Sequence, residues 1–258
     1  VTSKLIKEFP CTPIHNNTFS FTNASPDFRR KLLDRSIFIA EDNFSSNWFS
    51  YYRALKQRNS VLKNNRISDI YAWNEMLVEE GIKLDNYRKD FFDKTLKEFH
   101  TLLEILKPFN VFDFFDVINI SFFQGWDNEK SLLKILEENK QTDIRRKTTT
   151  SGPHKSDIKF LIKDIDAKQI LSRGEQKFFS ILWSCAQHEV LKKHYRIDAT
   201  LIIDDIRSEL DDRVFNLFKK LLEHNENQVI FSCIDDCFSS KISSNFKDFK
   251  KFHVEQLR

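Results

Sequence analysis

A hydroxyl, a glycine and an amide side chain stand at close spacing in the segment LSRGEQK, residues 171–177. Ser172, Gly174 and Gln176 precede a run, 178–185, whose apolar residues recur at helical spacing. A helix start with free amide N–H groups carries roughly half a positive charge and attracts anions. The segment therefore predicts a phosphate-binding helix end.

Two adjacent carboxylates, Asp204 and Asp205, follow the apolar run 201–203. That run is typical of a buried parallel strand, and α/β sheets place their chemistry at the carboxyl ends of such strands. Asp204 can hold Mg²⁺ directly or through water, while Asp205, on the opposite face of the strand, can polarise an attacking water. We predict both residues as catalytic, with Asp204 as the metal ligand.

Each motif alone also fits an ordinary helix start or turn. Their order is more specific: LSRGEQK is followed by LIIDD and then by SELDD, residues 208–212. This order resembles the second half of an ABC-type ATPase head, with signature motif, Walker B strand and D-loop. In that superfamily the signature helix of one subunit caps the γ-phosphate of ATP held by the other, which implies an ATP-dependent homodimer.

The resemblance also implies site roles. It places Ser172, Arg173, Gly174 and Gln176 on the partner's nucleotide, and Ser208 and Asp211 in the D-loop.

Further blocks resemble the bacterial RecF family: FRRKLLD at 28–34, YRALKQRN at 52–59, GPHKSD at 152–157 and QVIFS at 228–232. The resemblance runs from about Phe28 to the C-terminus. It implies an SMC-like recombination mediator for DNA replication, gap repair and the SOS response, binding single-stranded, double-stranded or gapped DNA. It further implies ATP and Mg²⁺ as cofactors of the complete protein, weak ATPase activity, the RecR and RecO proteins as partners, and a cytoplasmic location.

The sequence departs from the family in three places. No G-x-x-x-x-G-K-[S/T] phosphate loop occurs, so we expect a fragment without its front part that neither binds ATP tightly nor hydrolyses it. The Q-loop glutamine is not found around residues 10–13. Lys155 stands where many relatives carry arginine, and its GPHK turn either touches phosphate or is purely structural.

Net charge is only +3, from 41 basic and 38 acidic residues, so the overall balance does not indicate a nucleic-acid binder. Basic residues nevertheless cluster in three segments, 28–35, 53–66 and 145–147. Each cluster also fits a solvated helix face, and the family resemblance favours DNA. The DNA-binding candidates are Arg29, Arg30, Arg53, Lys56, Arg58, Arg145 and Arg146.

The elements that must position these residues divide into an arm and a head. Two apolar stripes at helical spacing between residues 26 and 108 predict an antiparallel helical arm, with Gly81 loosening or ending the second helix. Strand patterns at 118–122, 158–162, 201–203, 228–233 and 252–255 predict the head. The predicted fold class is α/β, an incomplete P-loop NTPase head of the ABC/SMC-like type with an inserted arm. The predicted domains are 1–25, a remnant of the head, 26–108, the arm, and 109–258, the rest of the head.

The sequence gives weaker indications for other kinds of function. The cysteines form no CxxC pair, which favours reduced thiols, although Cys233 and Cys237 leave a metal or redox pair open. No apolar run approaches the ~20 residues of a membrane span, so no membrane partner is predicted. Two alternatives stay open: a non-hydrolysing SMC-like scaffold, and another chromosome-associated ATPase of this superfamily.

Overall fold

The computed structural model describes residues 2–15, 18–64, 67–109, 117–204, 210–232 and 248–252. The helices are α1 (Thr2–Glu8), α2 (Pro26–Ala40), α3 (Phe44–Lys63), α4 (Ile70–Leu106), α5 (Leu132–Glu138), α6 (Lys140–Arg146), α7 (Ala167–Ile170), α8 (Arg173–Tyr195) and α9 (Asp212–Glu223). The strands are β1 (Cys11–Ile14), β2 (Ile118–Phe123), β3 (Asp157–Ile162), β4 (Ile165–Asp166), β5 (Thr200–Asp204) and β6 (Val229–Ser232).

The described strands form two small sheets. In the first, β5 lies between β1 and β6 and pairs in parallel with both, so Leu201 is opposite Thr12 on one side and Val229 on the other. In the second, β3 pairs antiparallel with β2 and β4. The predicted strands around 118–122, 158–162, 201–203 and 228–232 are confirmed.

The arm is an antiparallel helix pair. Asn47 near the start of α3 donates to the carbonyl of Glu80 at 3.0 Å, while Arg58 nearer its end donates to Asn74 at 2.7 Å. The 37 residues of α4 span about 55 Å at 1.5 Å per residue. Its buried residues recur close to every seventh position, as predicted: Ile70, Leu77, Leu84, Phe91, Phe99 and Leu106.

The prediction that Gly81 ends or loosens a helix is wrong. The helix α4 continues through it, and Gly81 is buried. A Cβ at this position would lie 3.0 Å from Leu132 Cδ2 and 3.2 Å from Tyr51 Cε2. Packing against these two side chains outweighs the roughly 1 kcal/mol that glycine costs inside a helix.

The arm and the head share one hydrophobic core. Trp183 of α8 is fully buried, and its ring lies 5.7 Å from Phe99 of α4, 5.8 Å from Phe160 of β3 and 6.1 Å from Phe21, centroid to centroid. Phenylalanine side chains packed around Trp183 therefore connect α4, α8 and the second sheet. The boundaries 1–25, 26–108 and 109–258 stay a prediction.

The predicted last strand, 252–255, is not seen at Phe252, which lies outside any strand, and its remaining residues lie outside the described ones.

Candidate functional site

Ser172 begins the helix α8 as its N-cap. Its Oγ accepts a hydrogen bond from the amide of Glu175 at 3.3 Å, and Glu175 Oε2 accepts one from the amide of Ser172 at 2.7 Å. This reciprocal capping box explains why a helix starts here. The hydroxyl proton of Ser172 is not used in this pair and is available to an acceptor.

The first turn of α8 is open to a ligand. Arg173 is exposed and Gly174 is half-buried. Their backbone N–H groups belong to the first turn, where no carbonyl of the helix is in position to accept a hydrogen bond from them. A Cβ at position 174 would lie 3.9 Å from Asp211 Oδ2. The structure thus places Gly174 of the predicted signature beside Asp211, a predicted D-loop residue.

Gln176 does not share this exposure. It is only 7% exposed, its Nε2 donates to the carbonyls of Leu171 at 2.7 Å and Lys168 at 3.1 Å, and its Oε1 accepts from Asn23. Its prediction as a nucleotide contact is wrong for this conformation, because its amide is already occupied in holding the segment before Ser172.

Asp211 and Asp204 occupy the ends of neighbouring elements. Asp211 caps α9 by accepting from the amide of Val214 at 2.8 Å. Asp204 is the exposed last residue of β5 and accepts a hydrogen bond from Ser232, its register partner on β6. Both carboxylates keep their second oxygen free of the bonds just described.

A cavity of about 260 Å³ opens at the carboxyl ends of β1, β5 and β6. Its polar lining includes His15, Asp204 and Ser232. Sheets of this class place ligands at such an edge. The sequence reasoning missed His15 and Ser232 as site residues; the signal available was that each stands at the end of a short strand.

The donors at this edge fit Mg²⁺ only in part. Among the described residues, no group of three or more His, Cys, Asp and Glu side chains could hold a metal ion. A single carboxylate suits Mg²⁺ that takes most of its ligands from phosphates and water, as is usual at nucleotide sites. Asp204 can therefore hold the ion beside a bound nucleotide.

Several predicted residues lie outside the described part of the chain: Asp205, Ser208, Cys233 and Cys237. The region expected near the Q-loop, 10–13, includes most of β1. There Thr12 Oγ1 lies 2.9 Å from Nδ1 of His188 on α8, and Asn227 Nδ2 lies 3.2 Å from the other ring nitrogen. Burial lowers the pKa of His188 to about 4.

Arg58 is wrongly predicted as a DNA contact. Its side chain is fully buried, and it donates to Asn74, Asp143 and Thr149 at 2.7 to 2.8 Å. A cation enclosed in this way cannot reach a phosphate outside the protein.

Arg29 and Arg30 are also turned inward. Arg29 forms a two-pronged pair with Asp157, at 2.7 and 2.8 Å, and its side chain is 11% exposed. Arg30 donates to the carbonyl of Ser156 at 2.6 Å and is 12% exposed. Both predictions as DNA contacts are corrected, since these guanidinium groups already hold protein acceptors.

Arg88 completes this set. It pairs with Asp34 through both carboxylate oxygens at 2.8 Å and donates to the carbonyl of Pro153 at 2.7 Å and to Ser156 Oγ at 3.0 Å. Burial alone would lower the pKa of Arg88, but the charge of Asp34 and its hydrogen bonds outweigh burial and raise this pKa above its usual value. We call Arg29, Arg30, Arg58 and Arg88 the arginine clamp, because all four hold the segment 149–157.

His154 belongs to the same segment and is structural. Its Nε2 donates to the carbonyl of Thr149 at 3.0 Å, and in the neutral ring its Nδ1 accepts from the Tyr51 hydroxyl at 2.7 Å. Burial, together with the charges of Lys155, Arg30 and Arg58, lowers the pKa of His154 to about 4.

Four predicted DNA contacts remain at the surface: Arg53, Lys56, Arg145 and Arg146. Lys56 lines an open groove of about 500 Å³ along α3, together with Tyr52, Asn59 and Lys63. Asn59 accepts from the amide of Thr149 at 2.7 Å, which places the stretch after α6 beside the groove.

In the part of the chain that the structure describes, no helix has the length and apolar character needed to cross a membrane.

Known proteins provide an independent comparison. No family model matches the chain. The DNA replication and repair protein RecF of Pseudomonas syringae pv. tomato is 30% identical over 265 residues, covering 99% of this chain and 69% of the relative. The protein of the same name from Hahella chejuensis is 32% identical over 263 residues, covering 98% and 69%.

A solved structure of the recombination mediator protein RecF with ATP, from the RecFOR pathway, superposes with a TM-score of 0.75 at 22% identity. It matches 90% of this chain, and the chain spans 64% of the solved one. The fold is thus an ABC/SMC-like ATPase head carrying a helical arm.

Proposed function

Because this chain belongs to the RecF family, we propose that it acts in DNA replication and repair by binding DNA under the control of ATP. One observation carries the proposal: the open first turn of α8, with Ser172 and Gly174, lies against Asp211. Signature and D-loop side by side are what a nucleotide-closed dimer needs on each subunit.

We assign to the start of α8 the contact with the nucleotide that the partner subunit holds. The hydroxyl of Ser172 and the amides of Arg173 and Gly174 would donate to the γ-phosphate of ATP held by the partner subunit. Asp211 would connect this contact to the partner's site. Asp204 would hold Mg²⁺, which when bound neutralises phosphate charge, and Asp205 would orient the attacking water.

The exposed cations are assigned to DNA. Arg53, Lys56, Arg145 and Arg146 would each neutralise a backbone phosphate, so affinity should fall steeply with salt. A single-stranded, double-stranded or gapped substrate fits this contact type, because phosphates carry no sequence information.

Cellular roles are proposed from the family. A solved relative is described as a recombination mediator of the RecFOR pathway. We extend this to gap repair, the SOS response, RecR and RecO as partners and a cytoplasmic location for the present protein.

The test uses the protein expressed from its own gene and a fluorescent gapped duplex, with and without ATP and Mg²⁺. Wild type should bind DNA, and ATP should tighten binding and shift the protein from monomer to dimer in sedimentation. Ser172→Arg should keep basal DNA binding and lose both ATP effects. The matched control is Ser131→Arg, because Ser131 caps the exposed start of α5 in the same way.

Equal ATP responses in the two variants would refute the role of Ser172, and absence of DNA binding by wild type would refute the function. An ATP-independent scaffold is the second candidate, favoured if the coding frame before Val1 holds no G-x-x-x-x-G-K-[S/T] sequence. It predicts DNA or protein binding that ATP does not alter.

A further inference from the structure

We propose that Lys155 is a fixed contact for a phosphodiester group of the DNA backbone, presented by the turn that the arginine clamp holds. The inference rests on the proposed DNA-binding function and names one residue and the chemical group it meets.

The arginine clamp restrains the turn from three helices. Arg58 of α3 donates to Thr149 before it, Arg88 of α4 to Pro153 and Ser156 within it, and Arg30 of α2 to the Ser156 carbonyl. Immediately after the turn, Arg29 forms a bidentate ion pair with Asp157. Charged donors make the stronger class of hydrogen bond, and most of these are buried. The turn is therefore fixed relative to the whole arm.

Two glycines bring a second turn against it. Gly125 and Gly152 have φ of 104° and 133°, a region that other residues rarely adopt. The amide of Gly152 donates to the carbonyl of Gly125 at 3.2 Å, and a Cβ on Gly125 would lie 2.1 Å from the carbonyl oxygen of Gly152. Backbone packs directly on backbone here, so the turn has little room to shift.

Within this turn only Lys155 is exposed. Gly152, Pro153 and Ser156 are buried, and His154 is half-buried and used by Tyr51 and Thr149. The neutral His154 contributes no charge, so the turn offers a single cation to solvent.

The carboxylates of the adjoining clamp segments are already neutralised. Asp157 pairs with Arg29, and Asp27 pairs with Lys31 and Arg30. Lys155 makes no ion pair with any residue that the structure describes, in contrast to lysines such as Lys31. The backbone that carries this positive charge is held in place and the charge itself is left uncompensated, so the turn presents a partly preorganised anion contact.

The chemistry favours a backbone phosphate of DNA. An ammonium group is a donor-only point charge, which suits phosphate and does not read base identity. ATP is the less fitting source, because the arginines that hold the turn, Arg30, Arg58 and Arg88, belong to α2, α3 and α4. The residues assigned to nucleotide stand instead on α8, at the end of β5 and at the start of α9.

The experiment measures the DNA affinity of the protein expressed from its own gene by fluorescence anisotropy over a series of salt concentrations. Lys155→Ala should weaken binding about fivefold to tenfold at 0.1 M salt and reduce the slope of log affinity against log salt by about one. Lys155→Arg should restore both. Lys134→Ala, at an exposed lysine of α5, removes the same charge and should change neither, and ATP affinity should be equal in all variants.

Any of three other results would contradict the proposed role of Lys155. It fails if Lys155→Ala matches Lys134→Ala, if Lys155→Arg does not restore binding, or if ATP affinity falls while DNA affinity stays. In these cases wild type still binds DNA and the proposed function stands. If wild type binds no DNA, both fail together. Thermal melting of each variant shows that the fold is intact, and Lys155→Gln replaces Lys155→Ala if the alanine variant is unstable.

Discussion

Arg58 and Asp143 form an ion pair inside the protein: Nη1 and Oδ2 are 2.7 Å apart, and neither side chain is exposed to solvent. The pair joins α3 of the arm to α6. Thr150 also donates to Asp143, through its amide at 2.9 Å and its hydroxyl at 2.6 Å. The arm is thus held to the head segment by enclosed charge as well as by apolar packing.

Removing either Arg58 or Asp143 should leave the other charge buried without an ion-pair partner. We expect Arg58→Met to lower the free energy of unfolding by about 3–5 kcal/mol, and Arg58→Met with Asp143→Asn to cost less than the sum of the single changes. Urea unfolding measures both. Arg53→Met, on the exposed face of the same helix, should change stability by less than about 0.5 kcal/mol. A loss below about 1 kcal/mol in Arg58→Met would contradict the burial of this charge.

Two glycines should respond in opposite ways to alanine. At Gly81 the new methyl would meet Leu132 and Tyr51 at 3.0 and 3.2 Å, both buried, so Gly81→Ala should destabilise by roughly 1–2 kcal/mol despite its better helix propensity. At Gly174 the nearest atom is 3.9 Å away, so Gly174→Ala should be neutral or slightly stabilising. Melting temperatures compare them. Equal shifts would show that propensity, and not the close approach, governs Gly81.

Two buried neutral histidines should make stability depend on pH. The pKa values of His154 and His188 are lowered by burial from 6.5 to about 4. Between these values the unfolded chain binds more protons than the folded one, so this contribution is complete above pH 6.5 and is lost as pH falls towards 4. From pH 7.5 to 5 the loss should be about 2 kcal/mol per histidine. His154→Gln should remove its share, and an unchanged pH profile would count against a buried neutral ring.

The exposed and enclosed arginines should separate in DNA binding. Arg145→Ala and Arg146→Ala should each lower the salt slope of DNA affinity by up to about one, with no loss of thermal stability. Arg29→Ala should do the reverse, because its guanidinium holds Asp157. Salt titrations and melting curves on the same three proteins provide the comparison. A lower slope with Arg29→Ala would return that residue to the DNA contacts.

Sequence patterns predicted the elements more securely than the roles of charged residues. The strand before Asp204 and the helix after Ser172 follow from local periodicity and capping, which act over a few residues. The buried orientation of the Arg58 side chain depends on its hydrogen bonds with Asp143, 85 positions later, and with Thr149. Basic clusters in a sequence do not reveal such partners. Gly81 shows the same limit, since its neighbour Leu132 lies far along the chain.

The placement of β5 between β1 and β6 has a consequence for synthesis of the protein. Cys11 emerges from the ribosome about 190 residues before its partner Thr200, which at roughly 5–20 residues per second is a delay of about 10–40 s. During that interval β1 lacks β5, the strand it pairs with in the described part of the chain, and contacts between such distant residues form slowly. The sheet of β1, β5 and β6 is therefore completed late, and nascent chains should depend on chaperones that shield strand edges until translation has passed β6.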